Sequence, residues 1–206
     1  MFLFRDSLPD MKGKMRLLHA AAGAKAIDIY VDGNILATNL DFGEITSYQD
    51  ISPGKHEFKI FAAGKSTNPL FTDTYEIIPN EIVTMSAVLL ESTLTLFALK
   101  DNPPKGIQSL SYLRFINFSP NSPLLTLSLP GGDTLFNGVE YLEPTGFYPL
   151  SAGLYNFIMT ATSDPSFKKF INNIQLEPDS DHTIFVIGLV DDKPQLGFLI
   201  TDDKIV

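Results

Sequence analysis

The sequence contains itself twice, and this constrains its fold more than any other feature. Met15-Arg16-Leu17-Leu18-His19 is echoed 98 positions later by Leu113-Arg114-Phe115-Ile116-Asn117. Gly33 and Gly131 keep that spacing. One extra residue near Asp133 raises it to 99, where Leu36 meets Leu135, Ser52-Pro53-Gly54 meets Ser151-Ala152-Gly153, Phe58 meets Phe157, Pro79 meets Pro178 and Thr84 meets Thr183. Two further residues in the last turn are expected to set Phe97 against Phe198 and Asp101 against Asp202. A period of one whole domain marks a duplication, not a solenoid. The expected division is an N-terminal arm over residues 1–14, a first repeat over 15–101, a Pro/Gly linker over 102–110 and a second repeat over 111–206.

Each copy reads as strands. Ala26 to Val31 alternates in polarity and runs into Asp32-Gly33, a hairpin signal because glycine accepts positive φ. Ser52-Pro53-Gly54 marks a second turn, and His56 to Phe61 follows with a period of two. Thr74 to Ile78 stops at Pro79-Asn80, and apolar runs follow at Ile82–Leu89 and Thr93–Leu99. Gly131-Gly132-Asp133 lacks the following Lys and Ser/Thr of a phosphate loop and reads as a hairpin turn. About seven short strands in ~90 residues predict an immunoglobulin-like sandwich. The fold class is therefore all-β, two tandem immunoglobulin-like β-sandwich domains with a short N-terminal arm. The 16 Phe and 7 Tyr suit strands. The 14 Pro and 14 Gly, spread along the chain, suit many turns.

Composition then excludes functions. The net charge is −9 and no basic run occurs, so nucleic acid is not an expected partner. Without cysteine there is no disulfide framework, thiolate nucleophile or thiolate metal site. No stretch approaches the ~20 apolar residues of a membrane-spanning helix. The opening Met1 to Asp6 lacks the long apolar core of a secretion signal, so synthesis in the cytoplasm without signal-directed export is expected.

No pattern of catalysis stands out, so no catalytic, cofactor or metal residue is assigned, and the protein is expected not to be an enzyme. His19, His56 and His182 come with no Gly-x-Ser-x-Gly elbow and no His-Glu-x-x-His zinc pair. His19, which stands where the second copy has Asn117, is read as a hydrogen-bonded structural residue, and His56 and His182 as strand residues with no partner at a catalytic spacing. The acidic pairs Asp179/Asp181, Asp191-Asp192 and Asp202-Asp203 do not reproduce a calcium loop and read as solvated turns. Asp28 is more pointed, because a carboxylate inside an alternating strand must face water or hold a partner. Arg16 is the expected partner, and Arg16, Asp28 and Arg114 are read as structural. Phe2, Leu3 and Phe4 lie outside both repeats, as a frayed tail, as a hydrophobic stretch covering its own domain, or as an arm that adds a strand to a neighbouring subunit.

His19-Ala20 followed by Ala26-Ile27-Asp28-Ile29-Tyr30-Val31-Asp32-Gly33 resembles the opening of the domain of unknown function 4397 family. Arg114-Phe115-Ile116-Asn117-Phe118-Ser119-Pro120-Asn121-Ser122-Pro123 resembles the same opening a second time. Asn39-Leu40-Asp41-Phe42-Gly43, Tyr48 and Pro53-Gly54 are also similar to it. In the first copy Ala21-Ala22-Gly23 replaces the usual Ser-Pro-Asp, and in the second Thr126 replaces Asp28. The resemblance implies a β-sandwich on bacterial surfaces with no established activity. Together with the lack of a signal it implies the type found in spore-forming Firmicutes, exposed on the spore or cell surface after mother-cell lysis.

The expected function is thus a non-enzymatic structural protein that partners itself, as a homo-oligomer or filament. It would assemble by β-strand addition in a spore-surface appendage or layer. The alternative is a surface-exposed adhesion module for glycan or protein, with Tyr112, Phe147 and Tyr148 as candidate contacts.

Overall fold

A computed structural model describes residues 11–102, 108–164 and 166–203. Among these the regular elements are strands, eight in each repeat. The first repeat holds β1 (Gly13–His19), β2 (Ile27–Val31), β3 (Asn34–Leu40), β4 (Gln49–Ile51), β5 (Gly54–Ala62), β6 (Phe71–Ile77), β7 (Ile82–Leu90) and β8 (Thr93–Lys100). The second holds β9 (Leu110–Asn117), β10 (Leu125–Ser128), β11 (Thr134–Val139), β12 (Tyr148–Ser151), β13 (Gly153–Ala161), β14 (Lys168–Leu176), β15 (Ser180–Ile187) and β16 (Gly197–Asp202). The eighth strand absent from the sequence reading is β4 or β12, only three or four residues long and too short to show a period.

Two four-stranded sheets form each sandwich-like half. In the first repeat their orders are β4-β1-β7-β8 and β3-β2-β5-β6; in the second, β12-β9-β15-β16 and β11-β10-β13-β14. The pairings are antiparallel except at the centre of one sheet per half, where β1 runs parallel to β7 and β9 to β15. By contact, the chain divides into two compact units, the second also taking residues 20–24 and 88–93.

The alternation read from the sequence becomes the two cores. Met15, Leu17, Ile27, Ile29, Phe58, Ile60, Val83 and Met85 pack together in the first. Leu113, Phe115, Leu125, Leu127, Phe157, Met159, Ile184 and Val186 pack in the second. Burying each such side chain contributes about 1.5–3 kcal/mol before ordering costs. The parallel pairs depart from simple alternation. β9 and β15 are buried almost continuously, so residues on both faces are covered. That is why the second face can hold polar groups such as Arg114 and Thr183 out of water.

Turn chemistry follows the glycine signals. Asp32 and Gly33 both have positive φ, 50° and 78°, as a two-residue hairpin between β2 and β3 requires. The Gly131-Gly132 segment closes the β10–β11 hairpin, with Leu129 N–H donating to the Asp133 carbonyl at 2.8 Å.

Three details differ from the sequence reading. Strand β1 begins at Gly13, inside the span assigned to the arm. A side chain there would collide with Ile77 Cγ2 at 2.8 Å and the Glu81 carbonyl at 2.9 Å, so the close approach calls for glycine. Strand β9 begins at Leu110, inside the span assigned to the linker. Finally, Asp101 N–H donates to the Ile82 carbonyl and Asp203 N–H to the Asp181 carbonyl, each at 2.7 Å. Asp101 therefore corresponds to Asp203, not to Asp202. Phe97 falls opposite Leu199, and three residues, not two, are added in the last turn. Composition alone could not separate the adjacent aspartates; the strand register does.

Candidate functional site

The arginine at the second position of each opening motif is the centre of a buried polar cluster. Arg16, on β1, donates from Nε to Thr84 Oγ1 on the neighbouring β7 at 2.7 Å. The Thr84 hydroxyl donates to Asp101 Oδ2 in a very short bond. Arg16 Nε itself lies 4.0 Å from the same carboxylate oxygen. Tyr48 lies across the guanidinium at 4.5 Å and donates its hydroxyl to Asp101 Oδ2 at 2.9 Å. Burying an ion pair is costly, and only complete hydrogen bonding offsets that cost.

The second repeat rebuilds the cluster with one exchange. Arg114 donates from Nε and Nη2 to Thr183 Oγ1 at 3.1 and 3.0 Å. Thr183 donates to Asp203 Oδ2 in a very short bond, and Arg114 Nη2 stands 3.7 Å from that oxygen. Phe147 covers the guanidinium at 4.6 Å. Phenylalanine cannot donate a hydrogen bond, and here Thr201 supplies one, to Asp203 Oδ1 at 2.6 Å. The position matching Thr201 in the first repeat is Leu99, which is buried and apolar. Both arginines are at most 3% exposed, so this arrangement ties three strands together and offers no surface to a substrate.

Asp28 does not meet Arg16. Its carboxylate accepts from Asn39 N–H at 2.7 Å and Gly64 N–H at 2.8 Å. Asn39 sits at φ 49° where the β2–β3 register shifts, and the bulge leaves its amide without a ladder partner. In the second repeat the Thr126 hydroxyl accepts from Gly138 N–H at 3.0 Å, and Gly138 has φ 64°. A short oxygen acceptor, not a negative charge, is what this position needs. That explains why aspartate and threonine interchange.

The histidines are similarly engaged. His19 is buried, with Nε2 3.1 Å from the Lys25 carbonyl; burial pushes its pKa below the ordinary value of 6.5. His56 places Nδ1 2.6 Å from Asp32 Oδ2 and Nε2 2.8 Å from the Ser52 carbonyl. Its counterpart Tyr155 donates its hydroxyl to the Ser151 carbonyl at 2.9 Å, so both residues hold the same turn. The Asp32 carboxyl is lowered by the Glu57 amide, then by His56. His182 Nε2 lies 2.9 Å from Ser180 Oγ. Tyr75 donates to the buried Glu81 at 3.0 Å, and burial pushes the phenol up to about 12. Each histidine is held by partners within its own repeat. Among the described residues no group of three acidic or histidine side chains is placed to hold a metal.

Of the aromatic residues considered for binding, Tyr112 is buried and Phe147 covers Arg114; Tyr148 is exposed beside Phe136. Phe2, Leu3 and Phe4 lie outside the described residues. The Arg–Thr–Asp clusters escaped the sequence reading because threonine and aspartate come from strands far along the chain. The repeat of Arg16 as Arg114 and the offset of Thr84 to Thr183 are their visible traces.

The model of the family described as Domain of unknown function (DUF4397) matches residues 13–128 and again 111–205, in overlapping tandem copies. The chain belongs to the DUF4397 family. The paired Arg clusters lie within these DUF4397 matches, one to each repeat. A search of curated proteins finds no match. Among solved structures, the chain is similar to the Bacillus anthracis TIE protein at 16% identity and a TM-score of 0.27, covering 91% of this chain and 34% of that one. The chain thus spans about a third of that protein's length. It is also similar to a structure titled as alpha-glucan recognition by family 41 carbohydrate-binding modules from streptococcal virulence factors. There the identity is 14% and the TM-score 0.27, covering 89% of this chain and 96% of that one. No helix among the described residues is long and apolar enough to cross a membrane.

Proposed function

We propose that this protein is a non-enzymatic structural subunit that self-assembles by β-strand addition, in an appendage or layer of a bacterial spore surface reached after mother-cell lysis. The observation that carries the reading is the outer strand β6. It pairs with β5 on one side in an unbroken register from Gly54↔Ile77 to Ile60↔Phe71, and it is the last strand of its sheet. A smooth edge of seven residues is a template for another strand. The equivalent edge β14 is interrupted by a register shift, with Asn173 at φ 60°, which blunts it. Beside β6, the side chains of Phe58, Phe71, Tyr75 and Leu96 line a small crevice able to receive an apolar side chain. In β-strand addition, main-chain bonds supply affinity and such pockets supply specificity.

The donor in this proposal is the N-terminal segment carrying Phe2, Leu3 and Phe4. Asn80 N–H donates to the Met11 carbonyl at 3.1 Å and Gly13 opens β1, so the informative truncation removes residues 1–10 and spares both. Light scattering and electron micrographs of the full-length and truncated proteins decide the matter. Full-length oligomers or filaments that vanish on truncation are expected. A full-length monomer at high concentration, or a truncated protein that assembles equally well, overturns the proposal.

A further inference from the structure

The residues added to the last turn of the second repeat do more than lengthen it. In the first repeat β7 and β8 are joined by Glu91 and Ser92 alone, both at positive φ, in a tight hairpin. In the second, residues 188–196 separate β15 from β16 and form one wall of an open cleft of about 630 Å³. The start of β14 and the turn before it supply the rest of the lining.

This wall is firmly built. Leu189 N–H donates to the Pro194 carbonyl, and Leu196 N–H to the Leu189 carbonyl, both at 2.8 Å. Asn121 clamps the loop from outside, accepting from Val190 N–H at 2.9 Å and donating to the Val190 carbonyl at 3.0 Å. Gly188, at φ 90°, passes so close to Gln195 that a Cβ there would lie 2.4 Å from the Gln195 carbonyl oxygen. On the facing segment, Asp164 fixes the turn by accepting from the Ser166 amide at 2.9 Å and the Ser166 hydroxyl at 2.6 Å. A cleft held open by its own backbone needs little reorganisation to bind, which lowers the cost of association.

Its lining is chemically mixed. Lys168, Lys169 and Lys193 are exposed lysines of its lining on a chain of net charge −9. Lys168 and Lys169 follow one another on β14 and project to opposite faces, so Lys169, on the face of Met159 and Ile171, is the one that joins Lys193 at the cleft. None of the three has an ion-pair partner among the described residues. Phe167 and Leu196 add half-buried apolar surface, and Asp191 and Asp192 add carboxylates. A bare anion would be attracted by the lysines and repelled by these aspartates. A neutral apolar ligand would desolvate these charges without replacing their hydration. A sugar acid meets each group. Its carboxylate would face the lysines, its hydroxyls would donate to the aspartates, and the apolar face of its ring would rest on Phe167.

We infer that this cleft binds a short acidic glycan of the uronic-acid class. The site belongs to the second repeat and does not depend on the N-terminal segment, so it stands or falls separately from assembly.

The test is calorimetric titration of the full-length protein with tetragalacturonic acid, with an uncharged galactose tetramer and with a short poly-glutamate. Saturable binding of the galacturonate alone is expected, weakening as salt rises. Replacing Lys169→Ala and Lys193→Ala together should reduce affinity about tenfold, on the order expected for two exposed ion pairs. Both side chains are exposed, so the melting temperature should not move; Lys65→Ala, in the other repeat, should leave binding unchanged. Absence of saturable binding at millimolar concentration overturns the inference. So does equal binding of the uncharged tetramer or of poly-glutamate, or an affinity indifferent to the double substitution.

Discussion

Tyr48 and Thr201 occupy non-equivalent positions in the two repeats, yet each donates the additional hydrogen bond to the buried aspartate of its own copy, Asp101 or Asp203. Where the aromatic cover is tyrosine, the neighbouring strand can carry Leu99; where the cover is Phe147, that strand must carry a hydroxyl. This exchange keeps the carboxylate satisfied while the residues around it change.

The exchange predicts a rescue. Tyr48→Phe keeps the ring over Arg16 and removes a bond to a charged acceptor, which should cost about 1.5–3 kcal/mol. Adding Leu99→Thr should restore part of that loss, although Leu99→Thr alone is destabilising. Urea denaturation of the two single variants and the double variant measures the coupling. Strictly additive losses would show that the two positions do not share a job.

Removing the carboxylate partner altogether is a harsher change. Arg114→Met leaves Asp203 buried without its counter-charge and should cost about 3–5 kcal/mol, as broken buried pairs do. Thermal unfolding of that variant should show the second unit melting first. The matching substitution Arg16→Met should weaken the first.

His19 makes stability depend on pH. Burial holds its folded pKa below 6.5, so between the two values the unfolded chain binds the proton and the folded chain does not. Stability from this residue is therefore intact above about pH 6.5 and falls as pH drops below it. His19→Asn, which installs the residue found at Asn117, should flatten that part of the profile. Chemical denaturation at pH 7.5 and pH 5.5 on both proteins reads the difference.

Asp32 acts in a lower window. Its carboxyl is held below the ordinary 3.8, chiefly by the Glu57 amide and next by His56, so its contribution is present above that value and lost as pH falls through the folded pKa. Because Asp32 is half exposed, the effect is modest. Asp32→Ala should melt below the parent protein at pH 7, and the gap should narrow as pH falls below 3.8.

The duplicated cores invite a paired test. Phe58 and Phe157 are at most 1% exposed at matching positions of β5 and β13. Each Phe→Ala change should cost about 3–5 kcal/mol by denaturant unfolding. A large difference between the two would indicate that only one cavity collapses.

The sequence by itself determined the duplication, the strand content and the main hairpins, because alternation and turn glycines act within a few residues of one another. Phe58 and Phe157 were legible as core for that reason, and so was the Asp32-Gly33 turn. What joins distant strands was decided only in three dimensions. Asp28 lies inside an alternating strand, and Arg16 looked like its partner on charge alone. The β2–β3 bulge instead presents the Asn39 amide to it, and a bulge leaves no reliable mark in composition. The parallel pairing of β1 with β7 sets Arg16 opposite Thr84, 68 residues away, and the register of the last strand chooses Asp203 over Asp202. Such choices rest on which backbone groups meet across a sheet, so they exist only once the sheet has formed.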